Sequence, residues 1–138
     1  MNLRVGSVEM TIALLAVAIV AIRPRVRAAV EAGRLIPMRV VLEAREPGRT
    51  HAFEGRPPFE IGRDPGSDLV LRDPEVSRRH ARFEGRNGVV FVSDLASRNG
   101  SFLNGRRIAE PVAVRSGDAI DVGTTRLFVQ TVEPLELG

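Results

Sequence analysis

The sequence predicts an all-β domain of two packed sheets preceded by one apolar N-terminal helix, and three observations carry that prediction. Residues 5–22 read VGSVEMTIALLAVAIVAI, with Glu9 as the only charge. After Pro37, short runs rich in Val, Ile, Leu and Phe alternate with clusters of Gly, Pro, Asn and Asp, the pattern of strands separated by turns. No stretch after Pro37 sustains a helical period.

The elements follow in chain order. Residues 1–4 form a short N-terminus. Residues 5–22, as a helix, extend roughly 27 Å, close to the hydrocarbon thickness of a bilayer. Glu9 lies near the first end, where it reaches the interface and avoids mid-membrane, at which a charge costs about 2.5–3.5 kcal/mol. A cleaved signal would place its positive charge before the apolar run. Here Arg23, Arg25, Arg27 and Arg34 follow it, against Arg4 in front. That asymmetry predicts a single-pass anchor in the cell membrane, with the N-terminus outside and the rest of the chain cytoplasmic. Residues 23–37 then read as a basic juxtamembrane connector, and residues 38–138 as the β domain.

Within that domain MRVVLEA, HAFE, FEIG, DLVL, ARFEG, VVFVSD, SFL, AVR, DAIDV and TRLFVQTV read as strands. Asn87-Gly88 and Asn104-Gly105 supply the positive φ that two-residue hairpins need, and Pro65-Gly66 and Ser116-Gly117 suit tight turns. Many short strands in about a hundred residues point to a sandwich or barrel, with function carried by loops at one end. The polar loops that stand out are 62–67, 72–80 and 95–101.

Composition narrows the chemistry. The chain of 138 residues has no cysteine, two histidines (His51 and His80) and a net charge of +3, with arginine as its only basic residue besides histidine. Thiolate metal sites are excluded, and no metal or cofactor is expected. Acidic residues intersperse the arginines after Met38, and Trp and Tyr are absent. A nucleic-acid stripe with stacking platforms is therefore not expected. No GxxxxGK, HExxH or GxSxG is present, so an enzyme is not expected.

Four motifs in order resemble the forkhead-associated (FHA) domain: Ile61-Gly62-Arg63, Ser77-Arg78-Arg79-His80, DLASRNGSFLNG from Asp94 to Gly105, and Gly117-Asp118 followed by Ile120. The resemblance covers roughly residues 38–132 and implies a sandwich of about eleven strands whose apical loops bind a phosphothreonine peptide. It implies that Arg63 and Ser77 hold the phosphate, that Arg78 and Arg98 line the pocket, and that Asn99 bonds the peptide backbone. His80 is implied to brace the serine loop, with Gly62, Gly100, Ser101, Asn104 and Gly105 supporting the loops. Arg79 and Arg82 read as surface charges. Ala96 stands where the family commonly has Gly, and Ser101 where Thr is common. The expected partners are threonine-phosphorylated proteins, a Ser/Thr kinase and the bilayer. The resulting expectation is a membrane-anchored phosphothreonine adaptor, with a phosphate-independent scaffold as the alternative.

Overall fold

Alternation of apolar and polar residues lays down strands whose inner faces meet. The computed structural model describes residues 36–135. The expected span at residues 5–22, and the connector as far as residue 35, lie outside the described residues. Eleven strands run in order: β1 (Met38–Glu46), β2 (Arg49–Gly55), β3 (Phe59–Gly62), β4 (Leu69–Val70), β5 (Ala81–Arg86), β6 (Val89–Asp94), β7 (Ser101–Leu103), β8 (Arg106–Arg107), β9 (Val112–Val114), β10 (Ala119–Val122) and β11 (Thr125–Pro134). They form a six-stranded sheet ordered β2-β1-β11-β10-β7-β8 and a five-stranded sheet ordered β4-β3-β5-β6-β9. The fold is the all-β, two-sheet sandwich that the strand and turn pattern predicts.

Period-two burial is plain in β1, where Met38, Val40, Leu42, Ala44 and Glu46 turn inward. Opposite them the second sheet contributes Phe59, Ile61, Ala81, Phe83, Val90 and Val92, all buried. Phe59 and Phe83 stack with ring centroids 4.7 Å apart, and Phe53 leans on Phe59 at 5.2 Å. The Asn-Gly turns behave as their chemistry requires: φ is positive at Asn87 and Gly88 and at Asn104 and Gly105. They close the β5–β6 and β7–β8 hairpins.

Glu46 is the exception in the inward row, a carboxylate at the end of β1 that is buried. It accepts hydrogen bonds from the Arg72 backbone N–H at 2.6 Å, Arg49 Nε at 2.7 Å and His51 Nε2 at 2.7 Å. Burial alone would raise its pKa. The bonds from Arg72, Arg49 and His51 outweigh that and hold it below the usual carboxyl range. Arg49 also donates to the carbonyl of Val70 at 3.3 Å, so this cluster clips the edge of one sheet to the other.

The strands of the second sheet set the site. β5 is antiparallel to both β3 and β6, so the end of β3, the start of β5 and the end of β6 lie at the same end of the sandwich. Deleting the stacked ring at its centre by Phe83→Ala should cost about 3–5 kcal/mol. Urea denaturation checks this; a loss below about 1 kcal/mol would contradict the packing described.

Candidate functional site

Three loops meet at that end, and backbone bonds lock the first two together. Arg63 N–H donates to Ser77 O at 3.0 Å, Asp64 N–H to Arg78 O at 3.1 Å, and His80 N–H to Ile61 O at 2.9 Å. The approach is so close that a Cβ at Gly62 would lie 2.0 Å from the Arg78 carbonyl oxygen. Only glycine fits there, for reasons of space.

His80 joins the second loop to the third. Its ring is fully buried. Nδ1 accepts from the backbone N–H of Ser77 at 3.0 Å, which leaves the proton on Nε2, 3.0 Å from the carbonyl of Gly100. The third loop is shaped by Asp94, whose carboxylate accepts from Ser97 N–H at 3.0 Å, Ser97 Oγ at 2.5 Å and the buried Ser101 Oγ at 2.6 Å. Ser97 Oγ in turn accepts from Gly100 N–H at 2.9 Å. Ala96 sits at φ +53°, a left-handed conformation that its Cβ disfavours, which gives physical meaning to the glycine expected there. Asn104 acts farther out: it bonds Asp118 and the Ala119 N–H, fixing the β7–β8 turn against β10.

A second carboxylate anchors the middle loop. Asp73, buried, accepts from Glu75 N–H at 2.9 Å, Thr124 N–H and Oγ1 both at 2.7 Å, and Thr125 Oγ1 at 2.9 Å. It therefore ties the loop to the β10–β11 turn of the opposite sheet. Burial would raise the pKa of Asp73 and of Asp94. Hydrogen bonds led by Thr124 for Asp73, and by Ser101 for Asp94, hold both below the ordinary range. Sequence reading missed Asp73, Thr124 and Thr125, because 51 residues separate Asp73 from Thr124. It also named Asp94 only as part of a motif.

These supports surround a cleft of about 300 Å³. Arg63, Ser77, Arg78, Arg98 and Asn99 all line it, together with Pro74, Glu75 and Val76. Arg63 Nε donates to the Val76 carbonyl at 3.1 Å, which fixes the guanidinium and leaves its terminal nitrogens for a ligand. Ser77 Oγ accepts from Arg98 N–H at 2.9 Å. Its own proton is thereby left to donate elsewhere. Asn99 Nδ2 donates to the Glu75 carbonyl at 2.9 Å and the Glu75 carboxylate at 3.0 Å.

The charges divide by position. Arg79 pairs with Glu60 at 2.6 Å, and Arg82 with Glu84 at 2.7 Å and Glu60 at 3.5 Å, on the outer face of the second sheet. Among the described residues, Arg63, Arg78 and Arg98 have no carboxylate within ion-pair distance, so three unneutralised guanidinium groups border one cleft. No cluster suited to a metal ion occurs among the described residues.

Two substitutions test this framework. Ala96→Gly should raise stability by about 0.5–1 kcal/mol by relieving the left-handed Cβ, net of the entropy glycine adds to the unfolded chain. Thermal or urea denaturation checks the sign. The depressed carboxyls of Asp73 and Asp94 contribute stability that is complete above their unfolded value of about 4 and is lost as pH falls through the folded values. Urea midpoints should therefore fall as pH drops below about 4, and Asp73→Asn should flatten that fall. An identical acid profile in the variant would contradict the assignment.

Comparison with known proteins agrees with the geometry. The FHA domain family model matches residues 59–123. The oxoglutarate dehydrogenase inhibitor of Corynebacterium diphtheriae is 42% identical over 72 residues, 52% of this chain and 50% of that protein. The glycogen accumulation regulator GarA of Mycolicibacterium smegmatis is 38% identical over 76 residues, 55% of this chain and 48% of that protein. The chain thus spans about half the length of the curated relatives it matches. A solved structure from a structural and functional analysis of phosphothreonine-dependent FHA domain interactions superposes with a TM-score of 0.62 at 28% identity. It covers 70% of this chain and 99% of its own. The matched stretch takes in the loops that form the cleft, and the sandwich extends it at both ends, so the chain is similar to FHA domains in both sequence and fold.

Proposed function

We propose that this protein is a phosphothreonine-peptide binding adaptor, held at the cytoplasmic face of the membrane by residues 5–22, that recruits threonine-phosphorylated proteins in Ser/Thr kinase signalling. One observation carries the reading: three guanidinium groups without carboxylate partners among the described residues, and a hydroxyl with a free proton, border one cleft. A phosphate ester carries about −1.5 to −2 charges at neutral pH and offers oxygens that such donors satisfy. Arg63 supplies the fixed charge, Ser77 the hydroxyl donor, and Arg78 and Arg98 the flanking charge. Asn99 is placed for the peptide backbone, while His80, Gly62 and Gly100 keep the loops in register. The likeness to a structure studied for phosphothreonine-dependent interactions supports the ligand class. The likeness to an inhibitor and a regulator supports action through binding a partner.

The membrane part rests on the sequence of residues 5–22 and the arginines behind it. The kinase enters either as the enzyme that makes the ligand or as the bound protein itself.

Two or three charge-assisted hydrogen bonds, each contributing about 1.5–3 kcal/mol, fit a micromolar affinity of about −8 kcal/mol. Calorimetry with a library of phosphothreonine peptides and their unphosphorylated forms should show binding only to the former. Arg63→Ala should lower affinity at least tenfold, in line with the loss of one charged bond, and Arg82→Ala should leave it unchanged. Equal binding of both peptide forms would sink the reading in favour of a phosphate-independent scaffold. Alkaline extraction of membranes should retain the full chain and release a variant lacking residues 5–22. Release of the full chain would overturn the anchor.

A further inference from the structure

The cleft contains one group that a simple anion site does not need. Glu75 is exposed, lines the cleft beside Arg63, Arg78 and Arg98, and is the one carboxylate that does so among the described residues. A carboxylate there opposes an incoming dianion. Its presence calls for a ligand that offers something in return.

The backbone of Glu75 is held tightly. Its N–H donates to Asp73 Oδ1 at 2.9 Å, and its carbonyl accepts from Asn99 Nδ2 at 2.9 Å. On the far side, a Cβ at Gly123 would lie 2.9 Å from the Glu75 carbonyl carbon, so the turn after β10 backs directly onto it. The Cα cannot retreat, and only side-chain rotation moves the carboxylate. That carboxylate accepts the second Nδ2 hydrogen of Asn99 at 3.0 Å, with Oε2 as acceptor. Two acceptors facing Nδ2 dictate the orientation of the amide and engage its donor side. Asn99 therefore meets a peptide with its oxygen available and its donors engaged.

From this we infer that Glu75 is a specificity-determining residue, which selects an Arg or Lys side chain flanking the phosphothreonine. The inference rests on the phosphopeptide reading above. The peptide cation pairs with the Glu75 carboxylate, which turns away from Asn99. One Nδ2 hydrogen is then released to a peptide carbonyl, while the other stays on the Glu75 carbonyl. Cation recognition and backbone recognition are thereby coupled through one rotamer change. An acidic flanking residue gains nothing from the exchange and meets the carboxylate as a like charge. The ligand so defined is a phosphothreonine with a basic neighbour, and three arginines alone would favour the opposite, an acidic one.

The test is a peptide series with one phosphothreonine and neutral flanks, in which a single Arg, Ala or Glu is moved through the three positions on either side. Wild-type protein should prefer Arg over Glu at one or more adjacent positions by about fivefold to tenfold, the scale of an exposed ion pair gained and a repulsion avoided. Glu75→Gln keeps the size and hydrogen-bonding capacity, so the fold should stand. It should lose the preference for Arg over Glu, read as the ratio of affinities within the variant. Glu75→Arg should invert the preference towards Glu. The same ranking of peptides in wild type and both variants, or a wild-type preference for Glu, would overturn the inference and leave phosphopeptide binding standing. Failure of every phosphopeptide to bind wild type would overturn both.

Discussion

The buried ring of His80 is the contact on which the cleft depends. One nitrogen receives the Ser77 N–H and the other meets the Gly100 carbonyl, so two loops from different strand pairs share a single rigid spacer. Both polar atoms of the ring are thus satisfied inside the protein, which is the condition for burying them at all. The position of Ser77 then follows, and through the Arg98 N–H bond to its oxygen the third loop is registered on the second. Steric limits complete the arrangement. Gly62 lets β3 approach the Arg78 carbonyl closely enough for the two backbone bonds beside it. The cleft is therefore set by backbone positions, and its arginines are attached to a frame that barely yields.

Asp73 extends that frame to the other sheet. A buried carboxylate with four hydrogen-bond donors is stable as an anion, and here the donors come from its own loop and from the turn after β10. Glu46 plays the corresponding part at the edge, between β1, β2 and the chain after β4. Both are buried anions compensated by bonds to the charged form. Both join segments that belong to different sheets.

The strands and turns were legible because their signals are local. Period-two burial in β1 and the positive φ at Asn87 and Asn104 can be read from adjacent residues alone. β8 was missed as a strand, since Arg106 and Arg107 carry no apolar alternation and pair only because the Asn104-Gly105 turn returns them to β7. Side-chain partnerships were mostly illegible. Whether Arg79 faces Glu60 or the cleft depends on the β3–β5 register, and Asn99 meets Glu75 only once two loops are stacked. The left-handed Ala96 was visible as an unusual residue in a familiar motif, but its strain emerged only with the backbone.

The division of the arginines has a consequence at long range. Arg39, Arg45, Arg79, Arg82 and Arg126 each meet a carboxylate, so from a distance they act as short dipoles whose fields fade quickly. Arg63, Arg78 and Arg98 have no such partner among the described residues, and they gather at one cleft with Glu75 as its carboxylate. A polyanionic segment diffusing past within a Debye length, about 8 Å at physiological ionic strength, is turned towards that end before any contact forms. The modest overall charge of +3 thus understates the field where it matters. For an anionic ligand approaching that end of the sandwich, added salt would slow association.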